Sequence, residues 1–191
     1  MLSVRASRRR IDDYNRVALS RGADLRWLAQ PLNAGRANTR GLELESKFPL
    51  KAVPGKAPAI DLRASVGRNW SSVASVPGPD NSLDQQSPLS ATLGVDYKGA
   101  LLSGGGGFVY GRGGPMRNSV EERSDSSDRR DLDLYVLWKL SGGSQLRVCA
   151  SGLLEVDALA GGSYADAGGL ARRDTANPGV MQVRAVLEAK F

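Results

Sequence analysis

The sequence predicts an all-β protein built from antiparallel strands, and three observations support this fold class. Apolar residues recur at every second position, whereas a helix would repeat them about every 3.6 residues. Several segments sustain this alternation for about 9–12 residues, which is longer than the ~5–6 residues of an ordinary strand. The connections between the segments alternate strictly between long and short. This regularity predicts an up-and-down meander in which every second connection lies on the same side.

The first four predicted strands lie near residues 2–14, 36–48, 60–72 and 89–98. Each is predicted from its own alternation of apolar and polar residues. The segments that carry it are LSVRASRRR, GLELESKF, IDLRASVGRNW and LSATLGVDYK.

The last four predicted strands lie near residues 104–112, 130–140, 144–154 and 180–191. The segments that predict them are GGGGFVYG, DLDLYVLWKL, SQLRVCASGLL and VMQVRAVLEAKF. In the last segment the apolar positions continue to the final residue of the sequence. They are Met181, Val183, Ala185, Leu187, Ala189 and Phe191.

The predicted strands leave connections of about 21, 11, 16, 5, 17, 3 and 25 residues, in chain order. The long ones are polar and rich in glycine, proline and aspartate, such as SVPGPDNSLDQQSP. The short ones include tight turns such as SGGS. One rim of the sheet is therefore expected to carry long loops and the other rim short turns.

Two all-β architectures fit this pattern, a soluble β-sandwich and a transmembrane β-barrel. The strand lengths favour the barrel, because a tilted strand needs about 9–11 residues to cross the hydrocarbon core. The segregation of loop lengths also favours it, since membrane barrels pair short turns with long loops on the opposite side. We therefore predict an antiparallel up-and-down transmembrane β-barrel whose apolar face points to lipid.

The first strand departs from this pattern, because Arg8 and Arg10 share a face with Leu2, Val4 and Ala6. An arginine costs about 2–4 kcal/mol at the bilayer midplane and little near the interface. The strand is thus expected to leave the membrane by Arg8, and it resembles a strand whose beginning is missing.

The opposite face of the predicted strands carries charges, and the aromatic residues lie toward strand ends. The charges are expected to form ladders of opposite sign inside the barrel, from Glu43, Glu45, Asp61, Arg63, Asp133, Lys139, Arg147 and Arg184. An interfacial girdle is one interpretation of the aromatics and ordinary strand packing is the other. They are Trp70, Tyr97, Tyr110, Trp138 and Phe191.

Two segments, RRRIDDYNRVAL and RWLAQPLNAGRANTRGLELESKFPL, resemble the late barrel strands of TonB-dependent outer-membrane receptors. A family pattern of the form Asn-x-Gly-x-Ala…Arg-Gly-x-Glu-x-Glu is matched by Asn33, Gly35, Ala37, Arg40, Gly41, Glu43 and Glu45. PGPDNSLDQQSPLSATLGVDY is similar to an extracellular loop and its following strand, and SQLRVCASGLLEVDALAGGSY is similar to the penultimate strand.

The resemblance implies that residues 1–191 are the C-terminal portion of a barrel of about 22 strands. The plug domain, TonB box and signal peptide of that family have no counterpart in the sequence. Complete receptors import ferric siderophores, or cobalamin and sugars, with energy from the TonB–ExbB–ExbD complex. The fragment alone is not expected to transport, and the TonB complex would act only through the missing plug.

The resemblance also implies partners and a location. The expected location is the outer membrane of a Gram-negative bacterium, with membrane lipid and lipopolysaccharide as partners. The alternating C-terminal strand with its final Phe191 resembles the signal that the barrel assembly machinery recognises. The alternative is an autonomous eight-stranded barrel with a structural or adhesion role, because eight strands can close.

Catalytic and cofactor chemistry is not expected. The sequence has no histidine, which excludes Ser-His-Asp and Cys-His mechanisms and imidazole ligation of zinc. The single Cys149 lacks a base to activate it. No cofactor and no metal are expected, and the protein is not expected to be an enzyme.

Three further motifs have simpler interpretations as parts of a barrel. GGGGFVYGRGG lacks the lysine of a phosphate-binding loop and opens no helix. The acidic segment EERSDSSDRRD lacks the spacing of a calcium loop. Nucleic acid is not expected despite the net charge of +6, because basic residues alternate with apolar ones.

Overall fold

The computed structural model describes residues 1–189 with the exception of 23, 25, 51–58, 85, 141 and 142. Its regular structure consists of antiparallel strands. In the described part of the chain there is no helix long and apolar enough to cross a membrane.

The largest sheet has eight strands, and each pairs with its neighbour in antiparallel orientation. In spatial order these strands are β1 (Leu2–Ile11), β4 (Ala37–Leu50), β5 (Ala59–Val73), β6 (Leu89–Lys98), β7 (Leu102–Gly111), β10 (Arg129–Lys139), β11 (Gln145–Ser151) and β14 (Gln182–Glu188). Spatial order follows chain order, as expected for a meander. The all-β, antiparallel part of the prediction is thus confirmed.

All eight predicted strands are present, with ends shifted by a few residues. The strand predicted at 89–98 has the same bounds in the structure. The central β5 is longer than predicted, with 15 residues. The last strand is shorter, because it ends at Glu188. Phe191 lies outside the described residues, so its structure is not discussed.

The long connections contain strands that the sequence pattern did not predict. Strands β2 (Asn15–Arg21) and β3 (Trp27–Asn33) form a two-stranded sheet within the connection that links β1 to β4 in the sequence. Strands β8 (Gly114–Arg117), β9 (Glu122–Ser126), β12 (Ala158–Asp166) and β13 (Gly169–Asn177) form a four-stranded sheet in the order β13-β12-β9-β8. The predicted long connections 15–35, 113–129 and 155–179 were expected to be loops without strands, and that expectation is wrong. These strands are short, at 4 to 9 residues, and their pairing joins two separate connections.

The connections nevertheless segregate by length as predicted. The long connections follow β1, β5, β7 and β11, and the strand directions place them all at one end of the sheet, here called the loop end. The short connection 99–101 lies at the opposite end, here called the turn end. The name loop layer denotes the segments 12–36, 74–88, 112–128 and 152–181.

The eight-stranded sheet is open in the described part of the chain. Strand β1 pairs with β4 alone and β14 pairs with β11 alone. Each edge strand therefore leaves one side of its backbone without a strand partner. Closure into a barrel, the finer part of the prediction, does not occur between these eight strands.

The buried core is small and lies at the loop end. Within the described residues the buried apolar side chains are Ala34, Ala37, Val73 and Val76, with Ile11, Tyr14 and Leu83 packed against them. Ile11 pairs with Ala37, which pairs with Val73, so these three share one face of the sheet. The core therefore joins the sheet to the loop layer and does not lie under the rest of the strands.

Candidate functional site

One face of the eight-stranded sheet is apolar across its full width. Directly paired residues of antiparallel strands lie on the same face. The register pairs Val4 with Leu44 and Leu44 with Val66. Farther along, it pairs Val66 with Ala91, Val136 with Val148 and Leu146 with Leu187. The period-two apolar sets of all the strands thus form one continuous surface, here called the apolar face.

The apolar face is exposed. Leu93 is 57% exposed, Leu134 48% and Val66 47%, although each lies in the middle rows of the sheet. In a soluble β-sandwich a second sheet would cover such residues. The four-stranded sheet of this chain pairs instead within the loop layer. Contiguous exposed apolar surface of this extent marks a contact with a partner or a membrane.

Aromatic side chains occur on the apolar face at two levels. Trp70 and Tyr110 lie near the loop end of β5 and β7. Phe48, Tyr97 and Trp138 lie near the turn end of β4, β6 and β10. Aliphatic residues predominate between these two levels, where Phe108 pairs with Leu93 and Leu132. Membrane barrels place aromatic residues at both interfaces in this way.

Arginines extend the apolar face toward the loop end. Arg8 pairs with Arg40, and Arg40 pairs with Trp70. Arg68 lies two residues from Trp70 on the same strand, and its guanidinium carbon is 5.2 Å from the centre of the Trp70 ring. The sequence predicted that Arg8 and Arg10 share the apolar face, and the register confirms this.

The opposite face of the sheet, here called the polar face, carries ion pairs between neighbouring strands. Arg5 lies 3.6 Å from Glu43, and Lys98 lies 2.7 Å from Asp61. Arg63 forms a salt bridge with Asp96. Of the predicted ladder of charges, these contacts bring Glu43, Asp61 and Arg63 into cross-strand pairs. Glu45 contacts Lys47 of its own strand at 3.7 Å, and Asp133 accepts a hydrogen bond from the Gly152 N–H at 3.1 Å.

The glycine run of β7 allows a tyrosine to lie flat on the polar face. A Cβ atom on Gly105 would lie 2.8 Å from Tyr135 Cε1 and 2.5 Å from the Val95 carbonyl oxygen. The Tyr135 hydroxyl reaches across this glycine and donates a hydrogen bond to Asp96 at 2.6 Å. GGGGFVYG thus forms strand and not a phosphate-binding loop, as expected for glycines that permit close packing.

The loop layer is held by a buried arginine. Arg16 of β2 is 5% exposed and forms a salt bridge with Asp84 of the second long connection. It also donates a hydrogen bond to the Asn118 carbonyl oxygen in the third connection at 2.7 Å. Its Nε is buried without a hydrogen-bond partner among the described atoms. Three separate connections thus meet at one side chain.

The pKa values of Tyr14 and Asp128 in the loop layer are shifted. Burial raises the pKa of the Tyr14 hydroxyl, which accepts a hydrogen bond from the Asp84 N–H at 3.1 Å. The Gly113 N–H, 3.0 Å from the carboxylate, lowers the pKa of Asp128. The Tyr110 hydroxyl donates a second hydrogen bond to Asp128 at 2.9 Å, which lowers that pKa further.

A cavity of about 520 Å³ lies where the loop layer meets the loop end of the sheet. Serines, glycines and two arginines are most of the residues around it, and most of its surface is apolar. The polar residues around it include Asn69, Ser71, Gln86, Arg112, Asp125 and Arg129. Several of these groups already have partners within the protein, such as Asn69 with the Ser87 carbonyl oxygen at 3.1 Å.

The residues of the receptor-like motif lie in the turn that leads into β4 and along that strand. Asn33 accepts a hydrogen bond from the Gly35 N–H at 2.7 Å, and Gly35 adopts a left-handed conformation with φ of 70°. Ala37 is fully buried in the small core. A Cβ on Gly41 would lie 2.9 Å from the Ser7 hydroxyl. Arg40 lies on the apolar face, while Glu43 and Glu45 lie on the polar face with their basic partners.

The residues proposed as a C-terminal assembly signal lie on the outermost strand, β14. Val183, Ala185 and Leu187 pair with Ala150, Val148 and Leu146 on the apolar face. Val183 and Leu187 are exposed, as is Met181 just before the strand. Ala189 follows the strand, and Phe191 lies outside the described residues.

Other candidate residues have local partners. The structure brings no group of three or more His, Cys, Asp or Glu side chains together as a metal site, among the residues it describes. Asp131 of the acidic segment contacts Arg129 at 2.6 Å, and Glu122 accepts a hydrogen bond from Asn118 at 3.2 Å. Cys149 is a free thiol on the polar face, opposite Arg184.

Sequence reasoning missed the alignment of Arg8 with Arg40 and Arg68, and it missed the buried Arg16. The arginine alignment was partly predictable, because Arg40 and Arg68 occupy positions that are apolar in the two-residue alternation of their strands. Their proximity depends on the register between strands, which one sequence does not state. The burial of Arg16 depends on contacts with segments about 70 to 100 residues away and had no local signal.

Comparison of the chain with protein-family models, with curated proteins and with solved structures finds no match. The functional conclusion therefore rests on the residue pattern and on the geometry described above.

Proposed function

We propose that the chain is a segment of an outer-membrane β-barrel of the TonB-dependent receptor class. The observation that carries this proposal is the exposed apolar face, which is continuous across eight antiparallel strands and bounded by aromatic residues at both ends. Lipid hydrocarbon is the partner that covers such a face without a further sheet. The ion-paired polar face then lines the interior of the barrel.

The open edges support a segment of a larger barrel over an autonomous one. Strands in a bilayer must satisfy every backbone hydrogen bond, so an eight-stranded barrel would pair β1 with β14. Among the described residues, each of these two strands pairs with one neighbour. Further strands beside β1 and β14 would complete the sheet in the larger barrel.

Import of a ferric siderophore, or of cobalamin or a sugar, is proposed for the complete receptor. Energy would come from the TonB complex, which acts on the plug of such receptors. The segment contributes barrel wall and part of the loop layer. The proposed location is the outer membrane, with lipopolysaccharide as a lipid partner and the barrel assembly machinery as the partner of β14.

Fluorescence quenching by lipids brominated in the acyl chain tests the membrane proposal. Trp138 lies on the apolar face, whereas Trp27 packs against Tyr164 in the loop layer with ring centres 5.0 Å apart. We expect strong quenching of Trp138 in a variant that keeps Trp138 alone, because its ring contacts acyl chains. A matched variant that keeps Trp27 alone should show little quenching.

Two results would contradict the membrane proposal. One is equal quenching of Trp27 and Trp138 in vesicles. The other is a monodisperse, detergent-free solution of the full chain, because a face this apolar does not remain uncovered in water.

The coding sequence that precedes Met1 tests the receptor class separately. A plug domain followed by more strands with period-two alternation is the expected finding. A secretory signal joined directly to β1 would instead favour the autonomous barrel.

A further inference from the structure

Three arginines from three neighbouring strands form a cluster at the loop end of the apolar face. Arg8 of β1 lies directly opposite Arg40 of β4, and paired side chains in a sheet have Cβ atoms about 4.5–5.5 Å apart. Arg68 of β5 is diagonal to Arg40, because its direct partner is Leu42. All three side chains are exposed.

The cluster lacks a negative partner in the part of the chain that the structure describes. No carboxylate lies within salt-bridge distance of Arg8, Arg40 or Arg68 there, although Arg10 contacts Asp12 at 3.1 Å. Like charges directly opposite each other destabilise a sheet. This repulsion increases next to a low-dielectric surface, where water does not screen it. An anion placed between the guanidinium groups would remove it.

The surroundings of the cluster indicate which anion fits. Toward the turn end, the same face continues as the leucines and valines of the apolar face. On the other side, Trp70 stacks with Arg68 at the level expected for an interfacial aromatic residue. A ligand of this cluster therefore carries negative charge directly beside a hydrocarbon surface.

We propose that Arg8, Arg40 and Arg68 bind the phosphate groups of an anionic lipid at the loop end of the membrane. This inference rests on the proposed function. Guanidinium groups bind phosphate oxygens in a bidentate manner, and the acyl chains of the same lipid would cover the leucines below. Nucleic acid fits poorly, because its sugars and bases would have to cover the exposed leucines and valines.

Partition of the full chain into lipid vesicles tests this site. Wild type is compared in vesicles of neutral phosphatidylcholine and in vesicles that also contain phosphatidylglycerol. We expect the anionic lipid to increase the partition coefficient at low ionic strength. The double variant R8Q/R40Q should lose about 25-fold in the anionic vesicles, because each arginine at a negative membrane surface contributes about fivefold.

A matched control removes two charges at the same end of the sheet from the polar face. Arg9 pairs with Thr39, and Arg129 pairs with Gly111, so R9Q/R129Q changes the net charge equally but leaves the apolar face intact. This variant should stay within about twofold of wild type. Equal binding of both double variants to neutral vesicles would show that neither is misfolded.

The outcomes separate failure of the site from failure of the membrane proposal. Equal losses in R8Q/R40Q and R9Q/R129Q would overturn the site, because the attraction would then follow net charge alone. An equal gain from inorganic phosphate added to neutral vesicles would overturn the lipid as the source of phosphate. Failure of wild type to bind neutral vesicles would overturn the membrane proposal and the site with it.

Discussion

The eight-stranded sheet and the loop layer use the same kinds of residue in opposite ways. In the sheet, leucines such as Leu93 are exposed, and the charged side chains pair on the other face. Where the loop layer meets the sheet, a small apolar core is buried, and within the loop layer the charged Arg16 is buried as well. Under the proposed function this difference has a simple reason, because the apolar face of the sheet would contact lipid while the loop layer would contact water.

The strongest test of this comparison is a charge on the apolar face. We expect Leu93→Arg to lower the free energy of unfolding in vesicles by about 2–4 kcal/mol, because Leu93 lies in the middle row of the face. Reversible urea unfolding from vesicles measures the effect. The control Thr92→Arg places the same charge on the polar face and should cost about 1 kcal/mol, mainly from the lost contact with Ser65.

The size of the stability change in Leu93→Arg distinguishes a lipid-facing leucine from a water-exposed one. An exposed leucine of a water-soluble protein tolerates arginine within about 0.5 kcal/mol. A Leu93→Arg variant as stable as wild type would therefore contradict the interpretation of the apolar face as lipid-facing.

The second test removes the buried arginine of the loop layer. Arg16→Met should destabilise the loop layer by about 2 kcal/mol, because it removes a salt bridge to a partly buried Asp84. Limited proteolysis of segments 74–88 and 112–128 measures this loss. The exposed Arg21 on the same strand provides the control, and Arg21→Met should leave cleavage unchanged.

This variant also tests whether the two regions are independent. Vesicle binding of Arg16→Met should equal that of wild type, since Arg16 does not lie on the apolar face. A parallel loss of vesicle binding would show that the sheet needs the loop layer to form.

The third test compares two glycines of β7 that lie on the same polar face. A Cβ on Gly105 would meet the Val95 carbonyl oxygen at 2.5 Å, whereas the nearest atom to a Cβ on Gly107 is 3.8 Å away. Gly105→Ala should therefore lower the free energy of unfolding by about 1–2 kcal/mol through overpacking. Gly107→Ala should be close to neutral. Similar values for both variants would show that Tyr135 does not pack on Gly105 as described.

The smallest expected effect concerns Asp128. Its pKa is lower in the folded than in the unfolded protein, because the Gly113 N–H and the Tyr110 hydroxyl donate hydrogen bonds to the carboxylate. Its contribution to stability is thus complete above the unfolded pKa and is lost as the pH falls through the folded pKa. Asp128→Asn should remove this acid-side dependence. Unfolding curves recorded from pH 6 down to about pH 3 would detect it, and an unchanged profile would contradict the assignment.

The sheet was predictable from sequence and the loop layer was not, for a physical reason. A strand such as β6, with LSATLGVDYK, has one polar and one apolar face, so apolar and polar residues alternate along its sequence. Strand β13, with GLARRDTAN, has no such division, because all of its residues are exposed. The turn between β12 and β13 consists of Ala167 and Gly168, which is not one of the Asn-Gly or Asp-Gly pairs that mark a hairpin in a sequence.

The candidate site was predictable in composition but not in geometry. The sequence placed Arg8 and Arg10 on the apolar face of their strand. It did not place Arg40 beside Arg8, because register depends on pairing between strands that are far apart in the chain. The openness of the sheet agrees with the expected portion of a larger barrel, whereas strand number alone did not predict it, since eight strands are enough to close.

The free edge of β1 has a consequence for hydrogen exchange of backbone amides. Met1 and Lys47 form a hydrogen-bonded pair, in which the backbone nitrogen of each donates to the carbonyl oxygen of the other. The odd-numbered residues of β1 therefore form backbone hydrogen bonds with β4, while the N–H and C=O groups of the even-numbered residues point away from β4. Amides of Val4, Ala6 and Arg8 should therefore exchange with solvent deuterium far faster than those of Arg5, Ser7 and Arg9. A neighbouring strand beside β1 would protect the even-numbered amides as well and abolish this alternation of exchange rates. Amide exchange therefore measures directly whether a strand occupies the edge of β1.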